Sequence, residues 1–257
     1  MPHMDRHAMI VGAQKCGTST LHRALIQHPE IHSAVDPDTG HQRKEMHFFT
    51  GNWSRGLEWY RSHFTGTGIS LDSTPEYICG RQPVERMTSS FPNAKYIVSL
   101  RDPVQRAISH YRHYSDVLPR SERWDWRRPG GDLAANISAE LRNPFEEYRG
   151  LLRRGLYAEQ LLRLYARIPA SQIQVVFLEE WSASPEESLS EIQRFLGLDP
   201  ISLEMRHQNQ RRPTSERSVS GPSRDHSTIA LLSDWFTVPN RELADLLRRP
   251  LPASWYR

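Results

Sequence analysis

Short apolar runs alternate along this chain with longer stretches in which apolar residues recur at helical spacing. The first run, residues 8–11, breaks at Gly12 and passes through the turn-prone AQKCGTS into a helical pattern over 18–28. There Leu21, Leu25 and Ile26 share one face, and Pro29 stops propagation. Further short strands are expected at 47–49, 69–71 and 96–100, the last an apolar run of the kind buried in a parallel sheet. A helix opened by Pro103 follows. Helical patterns return over 145–154 and 156–168, then come a strand-like run at 173–178 and a helix over 185–196 ended by Gly197. Two more helical runs lie at 228–236 and 241–247. Strands alternating with helices predict an α/β fold in one domain over 1–257, a central parallel sheet with helices on both faces.

Two stretches break this pattern. Residues 117–144, containing WDWRRPGGD, show little periodicity and read as a surface loop or insertion, while 207–224 is rich in Arg, Ser and Pro and reads as a basic loop held against the domain. The formal net charge of +3 suits an anionic ligand but is too small for a dedicated nucleic-acid binder. Cys16 and Cys79 are too few for a disulfide framework or a metal-binding set, so a reducing, cytoplasmic setting is expected. The opening MPHMDRHAMIVG has no extended apolar core, and nowhere do ~18 apolar residues run together, so neither a signal peptide nor a membrane span is expected.

The turn GAQKCGTST at 12–20 carries the first candidate chemistry. A glycine-bounded turn between strand and helix aims several backbone N–H groups at one point, where the helix dipole adds partial positive charge, so an anion fits. The hydroxyls of Thr18, Ser19 and Thr20 can donate to phosphate oxygens, and Lys15 brings a full charge into the turn. Gly12 and Gly17 keep the spacing of the nucleotide-triphosphatase pattern G-x-x-x-x-G-K-[ST]. Thr18 nevertheless stands where that pattern needs lysine, which has moved to position 15. The usual pairing of lysine with a magnesium-binding hydroxyl is broken, which favours a different donor. In isolation the segment also reads as an ordinary βα turn with an incidental lysine.

A second anion site is predicted in YIVSLRDPVQRAISHY, residues 96–111. Arg101, at the carboxyl end of an apolar strand, can grip a phosphate through two parallel N–H bonds, and Ser109, in the second turn of the following helix, can complete the cradle. VGAQKCGTSTL followed by IVSLRDPVQRAISHY resembles the paired 5'-phosphosulfate and 3'-phosphate motifs of sulfotransferases that use 3'-phosphoadenosine-5'-phosphosulfate, PAPS. Motif order, separation and the spacing from Arg101 to Ser109 are those of the family. The resemblance implies a P-loop-like domain with Lys15, Cys16, Gly17, Thr18, Ser19 and Thr20 around the 5'-phosphosulfate and Arg101 and Ser109 on the 3'-phosphate. It also implies PAPS as donor, 3',5'-ADP as product and no required metal. In relatives a basic loop late in the chain closes over the nucleotide; Arg211, Arg212 and Arg217 are the candidates for that role.

KEMHFF, residues 44–49, resembles the KExHFF segment of the heparan-sulfate branch. That likeness makes Glu45 the general base toward an acceptor hydroxyl, with Lys44 and His47 near the acceptor or the transferring group. A carboxylate kept ionised by nearby lysines suits this work. One of Phe48 and Phe49 at least belongs to the core, and His47 also fits a structural hydrogen bond. LDSTPEYI, residues 71–78, resembles the next family segment, but Ser73 stands where the heparan-sulfate enzymes usually carry lysine. Ser73 is thus a candidate substrate position that lacks a cation. RRGLYAEQL at 153–161, FLGL at 195–198 and NRELADLLRRPLPASW at 240–255 extend the likeness over nearly the whole chain.

The expected activity is sulfuryl transfer from PAPS to a sugar or natural-product hydroxyl, with a carbohydrate or small-molecule partner and neither nucleic acid nor membrane. One alternative is a P-loop kinase or nucleotide triphosphatase holding magnesium through Asp72 or Asp102. Another is a carbohydrate- or nucleic-acid-binding module that uses its arginines, histidines and exposed tryptophans such as Trp124 and Trp126.

Overall fold

A computed structural model of the protein describes residues 6–116, 133–142, 150–205 and 222–256. In chain order its strands and helices are β1 (Arg6–Gly12), α1 (Thr18–Leu25), β2 (Ile31–Val35), β3 (Gln42–Arg43), α2 (Gly56–Arg61), β4 (Ile69–Asp72), α3 (Arg81–Ser90), β5 (Lys95–Leu100), α4 (Pro103–Asp116), α5 (Leu133–Arg142), α6 (Tyr157–Tyr165), β6 (Ile173–Phe177), α7 (Leu178–Ala183), α8 (Pro185–Phe195) and α9 (Pro222–Leu247). The chain divides into two compact units, Met1–Leu100 with Leu161–Gln208, and Arg101–Gln160 with Asn209–Arg257.

The first unit holds a six-stranded sheet in the order β3-β2-β4-β1-β5-β6. Its pairings are parallel except at β3, which runs antiparallel to β2 and makes the sheet mixed at one edge. Central β1 is buried along its whole length after Arg6, as a strand covered on both faces must be. Alternation along it separates the two layers. Ala8 and Ile10 point into a cluster with Leu21, Ala24 and Leu25 of α1 and Leu189 and Ile192 of α8. On the other face, His7 packs on Phe91 with ring centroids 4.1 Å apart, and the Tyr96 hydroxyl donates to the carbonyl of Met87 in α3 at 3.3 Å. Each fully buried Leu or Ile in such a layer contributes about 1.5–3 kcal/mol.

Local signals fix the ends of α8. Pro185 occupies the first turn, where its missing N–H is no loss, and Glu186 and Glu187 face the positive end of the helix dipole. At the other end Gly197 adopts φ 75°, its N–H donates to the Arg194 carbonyl at 2.9 Å and that of Leu198 to Gln193 at 2.9 Å, a Schellman closure.

The second unit is helical. Val104, Ile108 and Tyr111 of α4 pack with Leu133 and Ile137 of α5 and Leu232 and Phe236 of α9. Asp102 opens α4 by accepting the Val104 N–H at 2.9 Å. Buried Arg106 donates to the Leu151 carbonyl at 2.5 Å.

Four expectations change. Residues 47–49 form a turn, not a strand, for reasons given below. The 117–144 stretch is not all loop, because Leu133, Ile137 and Leu141 recur every fourth residue and build α5; residues 117–132 lie outside the described ones. Of the helix expected over 145–154, residues 145–149 lie outside the description, and the rest is a bend followed by a single tight turn, Arg153–Gly155. The runs at 228–236 and 241–247 join into α9, since the buried stripe Leu232, Phe236, Asn240 and Leu243 continues past Pro239, whose ring removes only one N–H from the ladder.

Candidate active site

The turn after β1 is shaped by its backbone. The Ala13 N–H donates to the Ser99 carbonyl at 2.6 Å, and the Ser99 hydroxyl donates to the Cys16 carbonyl at 2.6 Å while accepting from the Trp181 indole at 3.2 Å. Strand β5 and the helix after β6 thus brace the turn from behind. Lys15 adopts φ 72° and Gly17 φ 78°, the left-handed region that only glycine enters freely. At Gly17 a Cβ would also lie 2.4 Å from the Trp181 ring, so conformation and packing both require glycine there. Helix α1 begins at Thr18 with Gly17 as its N-cap, so no side chain caps its first turn, while the Gly17 carbonyl accepts the Thr20 and Leu21 N–H groups.

The candidates in this turn divide by exposure. Lys15, Gly17 and Ser19 are half-buried, whereas Thr18 and Thr20 are buried and Cys16 is fully enclosed. The Cys16 side chain therefore belongs to the core, and only its backbone is left to face an anion.

Segment 44–49 is shaped by side chains instead. Thr74 Oγ1 accepts the Met46 N–H at 3.0 Å and the His47 N–H at 3.2 Å, and itself donates to Asp72 Oδ1 at 2.6 Å. The Tyr77 hydroxyl accepts the Phe48 N–H at 2.9 Å and donates to Asp72 Oδ2 at 2.8 Å. Three consecutive N–H groups are thus taken by hydroxyls, not by a neighbouring strand, and this is why 47–49 is no strand. Phe48 and Phe49 are both buried among Tyr60, Tyr77 and Trp53. Burial pushes the Asp72 carboxyl up from its ordinary value, opposed by the Thr74 and Tyr77 hydroxyls.

On this frame the charged side chains connect. Lys44 Nζ lies 2.9 Å from the Ser19 hydroxyl and 2.5 Å from Glu45 Oε1, so one ammonium joins the anion turn to the carboxylate. Glu45 Oε2 is 3.2 Å from His47 Nε2, and His47 Nδ1 is 3.4 Å from Glu76 Oε2. Burial alone would raise the Glu45 carboxyl, but the His47 hydrogen bond and the Lys44 charge outweigh it and bring the pKa to about 2. His47 is raised to about 9 by its bonds to Glu45 and then Glu76. Glu45 is accordingly an anion and His47 a cation at neutral pH.

Ser73 differs from its expected role. It is fully buried, and its hydroxyl lies 2.7 Å from His22 Nδ1, whose Nε2 lies 3.1 Å from the Ser33 hydroxyl. A side chain so enclosed does not reach an acceptor. Burial and then the Lys44 charge depress His22 to about 4, so it is neutral and does not replace the absent lysine's charge. The magnesium acids of the kinase alternative are committed elsewhere, Asp72 to two tyrosines and a threonine and Asp102 to the start of α4.

In the second unit Arg101 follows β5 directly, with its carbonyl accepting the Tyr157 hydroxyl at 2.9 Å, and Ser109 lies in the second turn of α4. Both are half-buried. Arg211, Arg212, Arg217, Trp124 and Trp126 lie outside the described residues. Sequence reasoning missed Glu76 and His22. Nothing in spacing brings them to His47 and Ser73; only the path of the chain after β4 and along α1 does.

The family model for the sulfotransferase domain matches residues 5–225. This chain belongs to the sulfotransferase family. The bifunctional heparan sulfate N-deacetylase/N-sulfotransferase of Drosophila melanogaster is 27% identical over 97% of this chain and 27% of its own length. Human heparan sulfate glucosamine 3-O-sulfotransferase 6 is 33% identical over 76% of this chain and 53% of its own. The chain thus spans about a quarter to a half of these curated relatives. A crystal structure of a sulfotransferase from Alicyclobacillus acidocaldarius shares the fold, with a TM-score of 0.70 at 24% identity, over 98% of this chain and 99% of that one.

Proposed function

We propose that this sulfotransferase moves a sulfuryl group from PAPS to a hydroxyl of a carbohydrate or small-molecule acceptor, with Glu45 as general base and Lys15 at the departing phosphate. The observation that carries the reading is the continuous link from Ser19 through Lys44 to Glu45, which ties an anion-accepting turn to an ionised base. The donor supplies an activated sulfuryl group on a phosphate.

Glu45 takes the hydroxyl proton as the oxygen–sulfur bond forms, and a carboxylate with a low pKa suffices because the proton leaves only as that bond is made. Lys15 and the first N–H groups of α1 neutralise charge growing on the 5'-phosphate as the old sulfur–oxygen bond breaks. A sulfate ester, 3',5'-ADP and a proton on Glu45 result, and Lys44 holds the base in line. Arg101 and Ser109 fit the 3'-phosphate by motif order and spacing, and the arginines of 207–224 remain candidates to cover the nucleotide. The names of the two relatives point to amino-sugar polymers, one modified at nitrogen and the other at oxygen. The hydroxyl is the acceptor proposed here, because a carboxylate base answers the need of a hydroxyl to lose its proton as it attacks.

Transfer of labelled sulfate from PAPS to a panel of sugar, phenol and natural-product hydroxyls, with amino sugars alongside, tests this reading. Turnover on a hydroxyl, and preference for 3',5'-ADP over 5'-AMP in binding, are expected. Tight ATP binding with no preference for a 3'-phosphate overturns it.

A further inference from the structure

Two carboxylates from separate segments grip the His47 ring, and only one of them belongs to the chemistry so far described. We propose that Glu76 is a positioning residue for sulfuryl transfer: its carboxylate fixes the His47 ring so that the opposite ring nitrogen orients Glu45. The proposal rests on Glu45 being the general base.

The geometry is that of a bridge. His47 presents Nε2 to Glu45 at 3.2 Å and Nδ1 to Glu76 at 3.4 Å, and a ring flanked by two acceptors satisfies both only when each nitrogen carries a proton. Among the described residues these two carboxylates pair with the ring, Lys44 lying on the other oxygen of Glu45. Their combined pull is also what raises the His47 pKa to about 9.

The backbone under the ring is equally constrained. His47 adopts φ 47°, a conformation uncommon for a residue with a Cβ and kept only where the surroundings impose it. Those surroundings are visible: its N–H donates to Thr74, and its carbonyl accepts from the Asn52 N–H at 3.0 Å and the Thr50 hydroxyl at 3.1 Å. Backbone and ring are therefore held from different sides, the first by hydroxyls and an amide, the second by charge.

The order of exposure assigns the roles. The His47 side chain is 44% exposed and Glu45 35%, so water or an acceptor can compete for the bond between them, while Glu76 is the more enclosed anchor at 27%. Without the Glu76 charge, Nδ1 is left to water, the ring can turn about its second torsion, and Glu45 loses the partner that sets its direction. A general base that is present but misdirected transfers protons slowly.

The experiment compares Glu76→Gln and Glu76→Asp with the wild type, reading steady-state kinetics with PAPS and the titration of the His47 ring by NMR, assigned with His47→Gln. In Glu76→Gln, kcat is expected to fall about tenfold with the KM for PAPS unchanged, the scale of a base left in place but poorly aimed. The His47 midpoint is expected to drop by about one unit. Glu76→Asp should recover part of both. A wild-type kcat or a wild-type His47 midpoint in Glu76→Gln overturns the proposal. The ring titration needs no substrate, whereas failure of the transfer reading appears as absence of turnover in the wild type, so the two failures are separable.

Discussion

The turn at 12–20 and the segment at 44–49 both lie in the sheet-bearing unit, yet they reach their shapes by opposite means. In the first, the path is set by backbone bonds and by Gly17, with Ser99 and Trp181 bracing it from behind. In the second, the backbone N–H groups of Met46, His47 and Phe48 end on Thr74 and Tyr77, which Asp72 holds in turn. A site made by backbone depends on a few glycines and tolerates varied side chains. A site made by side chains depends on each hydroxyl behind it. Lys44 is where the two join, through Ser19 on one side and Glu45 on the other.

The strongest way to break the comparison is to remove one charge from each side. Glu45→Gln keeps size and folding but leaves no base, and kcat is expected to fall by about 10²–10⁴. Lys15→Ala should cost about 10²–10³ in kcat through lost charge neutralisation, with thermal stability near wild type since Lys15 is only half-buried. If either variant turns over at the wild-type rate in a labelled-sulfate assay, its side of the site is misassigned.

Thr74→Val tests the support of the second segment. It removes the hydroxyl that accepts the Met46 and His47 N–H groups. Met46 keeps its longer bond to Asp72 Oδ1 at 3.4 Å, so the loss falls mainly on the His47 N–H, and a group left unsatisfied costs about 1–3 kcal/mol, which should lower the urea midpoint. Activity should fall with it, because His47 and Glu45 depend on that backbone. A wild-type unfolding midpoint would show that hydroxyl support is not what shapes 44–49.

Acid and alkali sharpen the contrast further through the shifted groups of the second segment. Glu45 is lowered from 4.5 to about 2, so its contribution to stability is full above 4.5 and is lost as pH falls through about 2. His47 is raised from 6.5 to about 9, so its contribution is full below 6.5 and is lost as pH rises through about 9. The two windows overlap between 4.5 and 6.5. An alkaline limb in kcat with a midpoint near 9 is therefore expected, and His47→Gln should remove that limb; a limb that survives the substitution belongs to another group.

The same contrast decides what the sequence could reveal. The 12–20 turn was legible because backbone-made sites leave a spacing signature, here Gly12, Lys15 and Gly17; β1, β5 and β6 were legible from the apolar runs AMIV, YIV and VVF, and β4 from Ile69 and Leu71 two residues apart. Strand β2 was missed because IHSAV mixes polar and apolar positions, and α3 because RQPVERMTSS offers only Val84 and Met87 as an apolar pair beside Pro83. At 44–49 the KExHFF likeness located Glu45 and His47, but Phe48 and Phe49 imitated a strand. Glu76 stood 29 residues beyond His47, where no periodicity connects them.

Ser73 supplies the smallest expected effect and the sharpest separation of shape from chemistry. By its resemblance it is a candidate substrate position, yet here its hydroxyl is enclosed against His22 at 2.7 Å. Ser73→Ala should lower stability by about 0.5–1.5 kcal/mol, the net worth of one hydrogen bond. It should leave kcat and both KM values within about twofold, the ~0.4 kcal/mol scale of an uninvolved group. Neutral His22 keeps its bond to Ser33, so the loss stays local. A large fall in kcat with stability intact would instead put the Ser73 hydroxyl in touch with the reacting groups, and the division between supporting and reacting side chains would have to be redrawn around α1.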